Sequence, residues 1–213
     1  MRILKLLATA LLVGSIAPAM AAAPVEGKDY VRLTTPPAAV AQQKVVVTEF
    51  FSYQCPHCYS FAKPFAAWQR ALPADVIVER VPVAFGRPAW EPSARAYLAL
   101  SQMKLLAKTD DALFDAIHRQ GIRLDTDDSM IRWAATQGID GKLFEAQYRS
   151  FGVATQMKSA DLKSRTYQIP SIPAVVVDGR YLVAIVDNGG FKSQLAVVDE
   201  LINRARKEKP RTP

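Results

Sequence analysis

The chain contains two cysteines, and only two residues separate them: Cys55-Pro56-His57-Cys58. A dithiol at this spacing can hold zinc, attach a haem, staple a loop or exchange disulfides. A tetrahedral zinc site takes four ligands, and two cysteines with one or two histidines scarcely supply them. A c-type haem needs a histidine directly after the second cysteine, where this chain has Tyr59. A bridge across two residues closes so small a loop that it removes little unfolded-state entropy, so a structural staple is the weaker reading. What remains is a reactive pair, in which the thiolate is the working species.

Such a pair needs an element that delivers it and one that activates it. Val45-Val46-Val47-Thr48-Glu49-Phe50-Phe51 is rich in β-branched and aromatic residues and reads as a buried strand. After the cysteines, Tyr59, Phe61, Pro64, Phe65, Trp68 and Leu72 recur near helical spacing, so Cys55 is expected where a helix begins. The free N–H groups and positive dipole end of that helix stabilise a thiolate and lower its pKa from about 8.5. Pro56 suits the first helical turn. His57 adds a donor and, when protonated, a positive charge beside Cys55, the plain alternative being a solvated histidine. Glu49 has apolar neighbours on both sides. Burial, a raised pKa and a proton-acceptor role follow from that, against the alternative of a half-exposed strand residue. His118 has no cysteine near it in sequence and is read as having no redox role.

The rest of the chain sets the context. Arg2 and Lys5 precede an apolar run, Leu6 to Ala17, that leads into Ala19-Met20-Ala21, which reads as a secretory signal peptide over residues 1–21. The run is shorter than the ~20 apolar residues of a bilayer span, so the mature protein is expected to be soluble and exported. Without Arg2 and Lys5 the net charge falls from +7 to +5, spread thinly apart from a basic tail. That tail reads as a solvated helix end, and no nucleic-acid partner is expected.

Tyr30 to Leu33 reads as a short edge strand, and Val76 to Phe85 as a second core strand, parallel to the first through a right-handed crossover. From Gly86 to about Gln168, helix formers replace β-branched runs. One helix is expected over Glu91 to Leu106. Thr109-Asp110-Asp111 is expected to cap a second over Ala112 to Gln120, Asp127-Asp128-Ser129 to open a third over Met130 to Gln137, and Asp140-Gly141 a fourth. A last helical stretch is expected from Ala154 to Tyr167. Ala174 to Ile185 then reads as a hairpin around Asp178-Gly179, and Asn188-Gly189-Gly190 leads into an amphipathic helix, Phe191 to Arg206.

This order, with Glu49-Phe50-Phe51-Ser52-Tyr53-Gln54-Cys55-Pro56-His57-Cys58-Tyr59 and the later Ile172-Pro173, resembles the DsbA family of bacterial thiol:disulfide oxidoreductases. The resemblance implies an α/β, thioredoxin-like fold with an inserted all-helical subdomain. The thioredoxin-like part would span 22–86 and 169–213, and the insertion 87–168. It also implies that Cys55 is the exposed nucleophile and Cys58 its buried partner. Pro173 would be a cis proline beside the dithiol, with Ser171 and Ile172 gripping an extended substrate chain. Glu49 matches a buried acid beneath the disulfide, and Arg80 stands where the family usually has lysine. The chain departs from the family where an acid often follows four residues after the second cysteine; here Ala62 and Lys63 follow.

The implied activity is donation of the Cys55–Cys58 disulfide to reduced exported proteins in the periplasm. Reoxidation would fall to a DsbB-type, quinone-linked membrane oxidase, with no cofactor or metal bound by this chain. A disulfide isomerase or reductase is the rival enzyme, but residues 22–44 leave no room for the dimerisation domain such proteins often use, and a monomer is expected. A peptide-binding chaperone using the Ile172-Pro173 region without redox turnover is the non-enzyme alternative.

Overall fold

The computed structural model describes residues 23–34, 44–185 and 190–209. The expected signal peptide and Asn188-Gly189 lie outside the described residues. Five strands form one sheet in the order β1-β5-β4-β2-β3: β1 Val31–Arg32, β2 Val45–Phe51, β3 Val76–Pro82, β4 Ala174–Val177 and β5 Tyr181–Ala184. β2 and β3 are parallel, joined through α1, Pro56–Arg70, and the remaining pairs are antiparallel.

The β2–β3 register runs from Val45 opposite Val76 to Phe51 opposite Pro82, which sets Glu49 opposite Arg80. Because side chains alternate along a strand, Val45, Val47, Glu49 and Phe51 share the face that α1 covers. Val45 and Val47 are fully buried there with Phe61 and Phe65 of α1 and with Leu195, Val198, Leu201 and Ile202 of α7, Phe191–Glu208. Asp178, Gly179 and Arg180 close the β4–β5 hairpin, with φ of 51° and 67° at the first two and the Arg180 N–H donating to the Val177 carbonyl at 2.9 Å. The α7 end is tied back by Arg206, whose guanidinium holds both oxygens of Asp75 at 2.7 and 2.9 Å.

Five α-helices stand between β3 and β4: α2 Glu91–Gln102, α3 Leu106–His118, α4 Asp127–Thr136, α5 Gly141–Tyr148 and α6 Phe151–Thr166. Here the expected boundaries need correction. The single helix expected over Glu91 to Leu106 ends at Gln102, because Lys104 takes φ 59° and Leu105 N–H reaches back to the Leu100 carbonyl, a helix stop made without glycine. Thr109 therefore caps nothing. It lies inside α3, fully buried, with its hydroxyl donating to the Leu105 carbonyl at 2.9 Å. Likewise α4 starts earlier than expected, with Thr126 and Ser129 forming a reciprocal capping box. β3 ends at Pro82 rather than Phe85, and Phe85 and Gly86 turn away at positive φ.

Phe51 joins the two layers. Its ring meets Tyr53, Tyr97 and Phe114 at centroid distances of 5.3, 5.0 and 6.3 Å, and it is fully buried. Phe51→Ala would leave a cavity where strand, active-site turn and helical layer meet. A loss of about 3–5 kcal/mol is expected, read as a lower urea midpoint.

Candidate active site

β2 ends with Phe51, and Ser52-Tyr53-Gln54 turns the chain so that Cys55 becomes the N-cap of α1, with φ −95° and ψ 118° and Pro56 behind it. No acidic residue occupies the first turn. The free N–H groups of that turn are therefore available to sulfur rather than to a carboxylate. Both thiols are free in this structure.

The two sulfurs are held unequally. The Cys55 thiol is lowered from 9.0 to about 6, first by a hydrogen bond from the Cys58 thiol, against the opposing effect of burial. Donation from the backbone of Cys58 and His57 and the His57 charge lower it further. The leading cause is thus the partner sulfur, ahead of the helix end and His57 on which the sequence reading rested. Burial pushes the Cys58 thiol far upward, and the negative charges of Cys55 and Glu49 add to it.

Cys58 is 1% exposed, as a buried partner should be, but Cys55 is only 7% exposed. The expectation of an exposed nucleophile is corrected: the Cys55 Sγ donates to the Ile172 carbonyl at 3.6 Å and lies against Cys58, so little of it meets solvent. The Ile172–Pro173 peptide bond is cis. Pro173 is buried, Ile172 half-buried and Ser171 exposed, and the Ile185 N–H holds the Pro173 carbonyl at 3.1 Å. Pro56 and His57 face solvent.

Beneath the dithiol, Glu49 is 1% exposed. Burial raises its carboxyl, and Arg80, whose Nε donates to Glu49 Oε2 at 2.5 Å, pulls it back only in part. The same guanidinium donates from Nη1 to Asp110 Oδ2 at 2.8 Å and lies 4.1 Å from the centre of the Phe51 ring. The Tyr53 hydroxyl donates to Asp110 Oδ1. Ala62 lies in the apolar core and Lys63 is exposed, so no acid follows four residues after Cys58.

The sequence reading missed two participants. Asp110 reads from sequence as part of a helix cap, yet α3 turns it onto Arg80 and Tyr53; an acid inside a helix facing a buried arginine is a long-range pairing that spacing does not reveal. His118 was set aside, yet its Nε2 lies 2.7 Å from the Tyr53 carbonyl and its ring stacks on Tyr59 at 5.0 Å. Tyr59 in turn donates to Asp115 at 2.9 Å, and Gln54 Nε2 to the Leu124 carbonyl at 3.2 Å. The helical layer thus grips the active-site turn at three points and the start of α1 at a fourth. Among the described residues no group of three or more His, Cys, Asp and Glu could hold a metal ion, and no helix is long and apolar enough to cross a membrane.

Following thiolate absorbance while the reduced protein is titrated should give one ionisation near 6, from Cys55, with Cys58 silent through neutrality. The folded value lies below the unfolded one of about 8.5. Through Cys55 the reduced protein therefore gains stability over the oxidised protein as pH rises from about 6 to about 8.5 and loses it as pH falls through 6, while above about 8.5 Cys58, kept protonated by burial, works against it. Denaturant midpoints of the two forms against pH check the slope. His57→Ala should raise the Cys55 titration by less than about one unit, because the imidazole contributes least among these causes.

A family model described as a DSBA-like thioredoxin domain matches residues 79–196, from β3 through the helical layer and hairpin into α7. The thiol:disulfide interchange protein DsbA of Azotobacter vinelandii is 39% identical over 180 residues, 84% of either chain. Its Burkholderia cepacia namesake is 35% identical over 210 residues, 96% of this chain and 99% of that one. The crystal structure of Pseudomonas aeruginosa DsbA superposes with a TM-score of 0.80 at 35% identity, covering 85% of this chain and 94% of that chain. With identity of that order sustained over most of each protein's length, this chain belongs to the DsbA family of thiol:disulfide oxidoreductases.

Proposed function

We propose that this protein is a periplasmic disulfide oxidase, exported by residues 1–21, which donates its Cys55–Cys58 disulfide to reduced, newly exported proteins. The observation that carries this reading is the placement of the Cys55 sulfur at the N-cap of α1, ringed by the Cys58 thiol and the N–H groups of His57 and Cys58. Those donors stabilise the Cys55 thiolate, and a stable thiolate in the reduced protein makes its disulfide a good oxidant.

In the reaction, a substrate thiolate attacks the Cys55 sulfur, the Cys55–Cys58 bond breaks, and Cys58 leaves and takes up a proton. A second substrate thiolate then attacks the substrate sulfur of the mixed disulfide, and Cys55 leaves as its low-pKa thiolate. Two electrons pass to the protein, and the substrate gains one disulfide. Glu49, buried beneath Cys58, handles the Cys58 proton. Ile172 and Pro173 present an edge of backbone to an extended substrate, with Ser171 at its rim. Reoxidation falls to a DsbB-type, quinone-linked membrane oxidase. A non-redox chaperone would have no use for the unequal thiols, and an isomerase would rest in the reduced state.

Cys55→Ser is expected to abolish oxidation of a reduced model substrate such as unfolded ribonuclease, and retained activity would sink the assignment. Cys58→Ser should instead let mixed disulfides on Cys55 accumulate, visible by non-reducing electrophoresis. Equilibration in glutathione buffers should give a couple far more oxidising than that of thioredoxin; a value as reducing as thioredoxin's counts against the oxidase.

A further inference from the structure

Glu49 faces ionisable groups from every side of the junction between sheet and helices. Arg80 comes from β3, Asp110 from α3, Cys58 from α1 and Tyr97 from α2, its β4 neighbour is the apolar Val175, and Tyr53, from the turn after β2, acts on it through Asp110. Among these, a single guanidinium serves two carboxylates, with Nε on Glu49 at 2.5 Å and Nη1 on Asp110 at 2.8 Å. Arginine cannot give up its proton, so the only variable is how its charge is divided.

On the reading of the dithiol given above, we propose that Asp110 is a positioning residue for disulfide exchange: by sharing Arg80 with Glu49, it leaves Glu49 able to exchange a proton with Cys58. If Glu49 alone held Arg80, the undivided positive charge would oppose the effect of burial more strongly and make Glu49 harder to protonate. A second carboxylate on the same guanidinium adds negative charge and makes Glu49 easier to protonate. The Tyr53 hydroxyl moderates this by donating to the other Asp110 oxygen. Cys58 is 1% exposed and feels the Glu49 charge, so a buried carboxyl is at hand as a carrier for the proton it exchanges.

The test isolates the Cys58 step with oxidised glutathione as the probe. The Cys55 thiolate attacks one glutathione sulfur, the S–S bond breaks, and one glutathione leaves as thiolate. Cys58 then loses its proton and attacks Cys55 Sγ, releasing the second glutathione and closing the Cys55–Cys58 bond. Acid quench and mass spectrometry give the rate of this second step across mildly acidic to mildly alkaline pH.

Asp110→Asn should move the acidic midpoint of that profile down by about one unit, and Asp110→Glu should restore it. In a Glu49→Gln background, Asp110→Asn should cause no further shift. Tyr53→Phe, which keeps the buried ring and removes only the hydroxyl, should move the midpoint the other way, and it serves as the test should Asp110→Asn fail to fold. Midpoints that stay at the wild-type position in both Asp110→Asn and Tyr53→Phe would overturn the role of Asp110. Failure of the wild-type protein to form any glutathione mixed disulfide would instead overturn the underlying redox reading.

Discussion

Arg80 places a permanent positive charge at the seam between the sheet and the helical layer, with its side chain only 15% exposed. A charge so placed is costly unless its partners are close and well oriented, and removing one partner of such a pair costs several kcal/mol. Glu49 of β2 and Asp110 of α3 meet that need from opposite layers, and the rings of Phe51 and Tyr97 cover its faces. The pairing fixes more than stability. It sets the β2–β3 register at the end nearest the dithiol and orients α3 over the active-site turn. It also puts a buried acid beneath Cys58.

From that foundation the inequality of the two thiols follows. Cys58 sits on the inner face of α1, over Glu49 and within the core shared with the helical layer, where a thiolate is disfavoured. Cys55 sits one turn earlier at the helix end, where donors converge. Because the Cys58 thiol is itself the strongest of those donors, the reluctance of one sulfur to ionise promotes ionisation of the other. Disulfide exchange needs this asymmetry, since the sulfur that leaves last must be the better leaving group.

The helical layer is a working part of the site. Tyr53, Gln54 and Tyr59, which flank the cysteines, are each held by a group from it: Asp110 and His118, the Leu124 carbonyl, and Asp115. The opposite wall comes from the turn before β4, where Ile172 meets Cys55. The dithiol is thus positioned by three segments far apart in the chain: α1 supplies the sulfurs and the N–H donors around Cys55, and the other two hold them in place.

Much of this was legible in the amino-acid sequence because it is written in local patterns. The β-branched run before Cys55, the helical spacing after it, the Asp178-Gly179 hairpin and the change of composition after Gly86 each depend on neighbours within a few residues. Their strand, helix and hairpin appear where expected. The helix boundaries near Lys104 and Thr109 were not legible, because a left-handed lysine and a buried threonine inside a helix are tolerated only when tertiary packing demands them. By itself the sequence determined that a dithiol heads a helix at the end of a buried strand, and that Glu49 belongs to that strand's apolar stretch. That Cys55 is nearly covered, that His118 reaches the active-site turn and that Asp110 shares Arg80 with Glu49 came about through packing of the two layers. Those contacts join residues 30 to 117 positions apart, and no pattern of spacing records which buried charge will find which partner once the layers close.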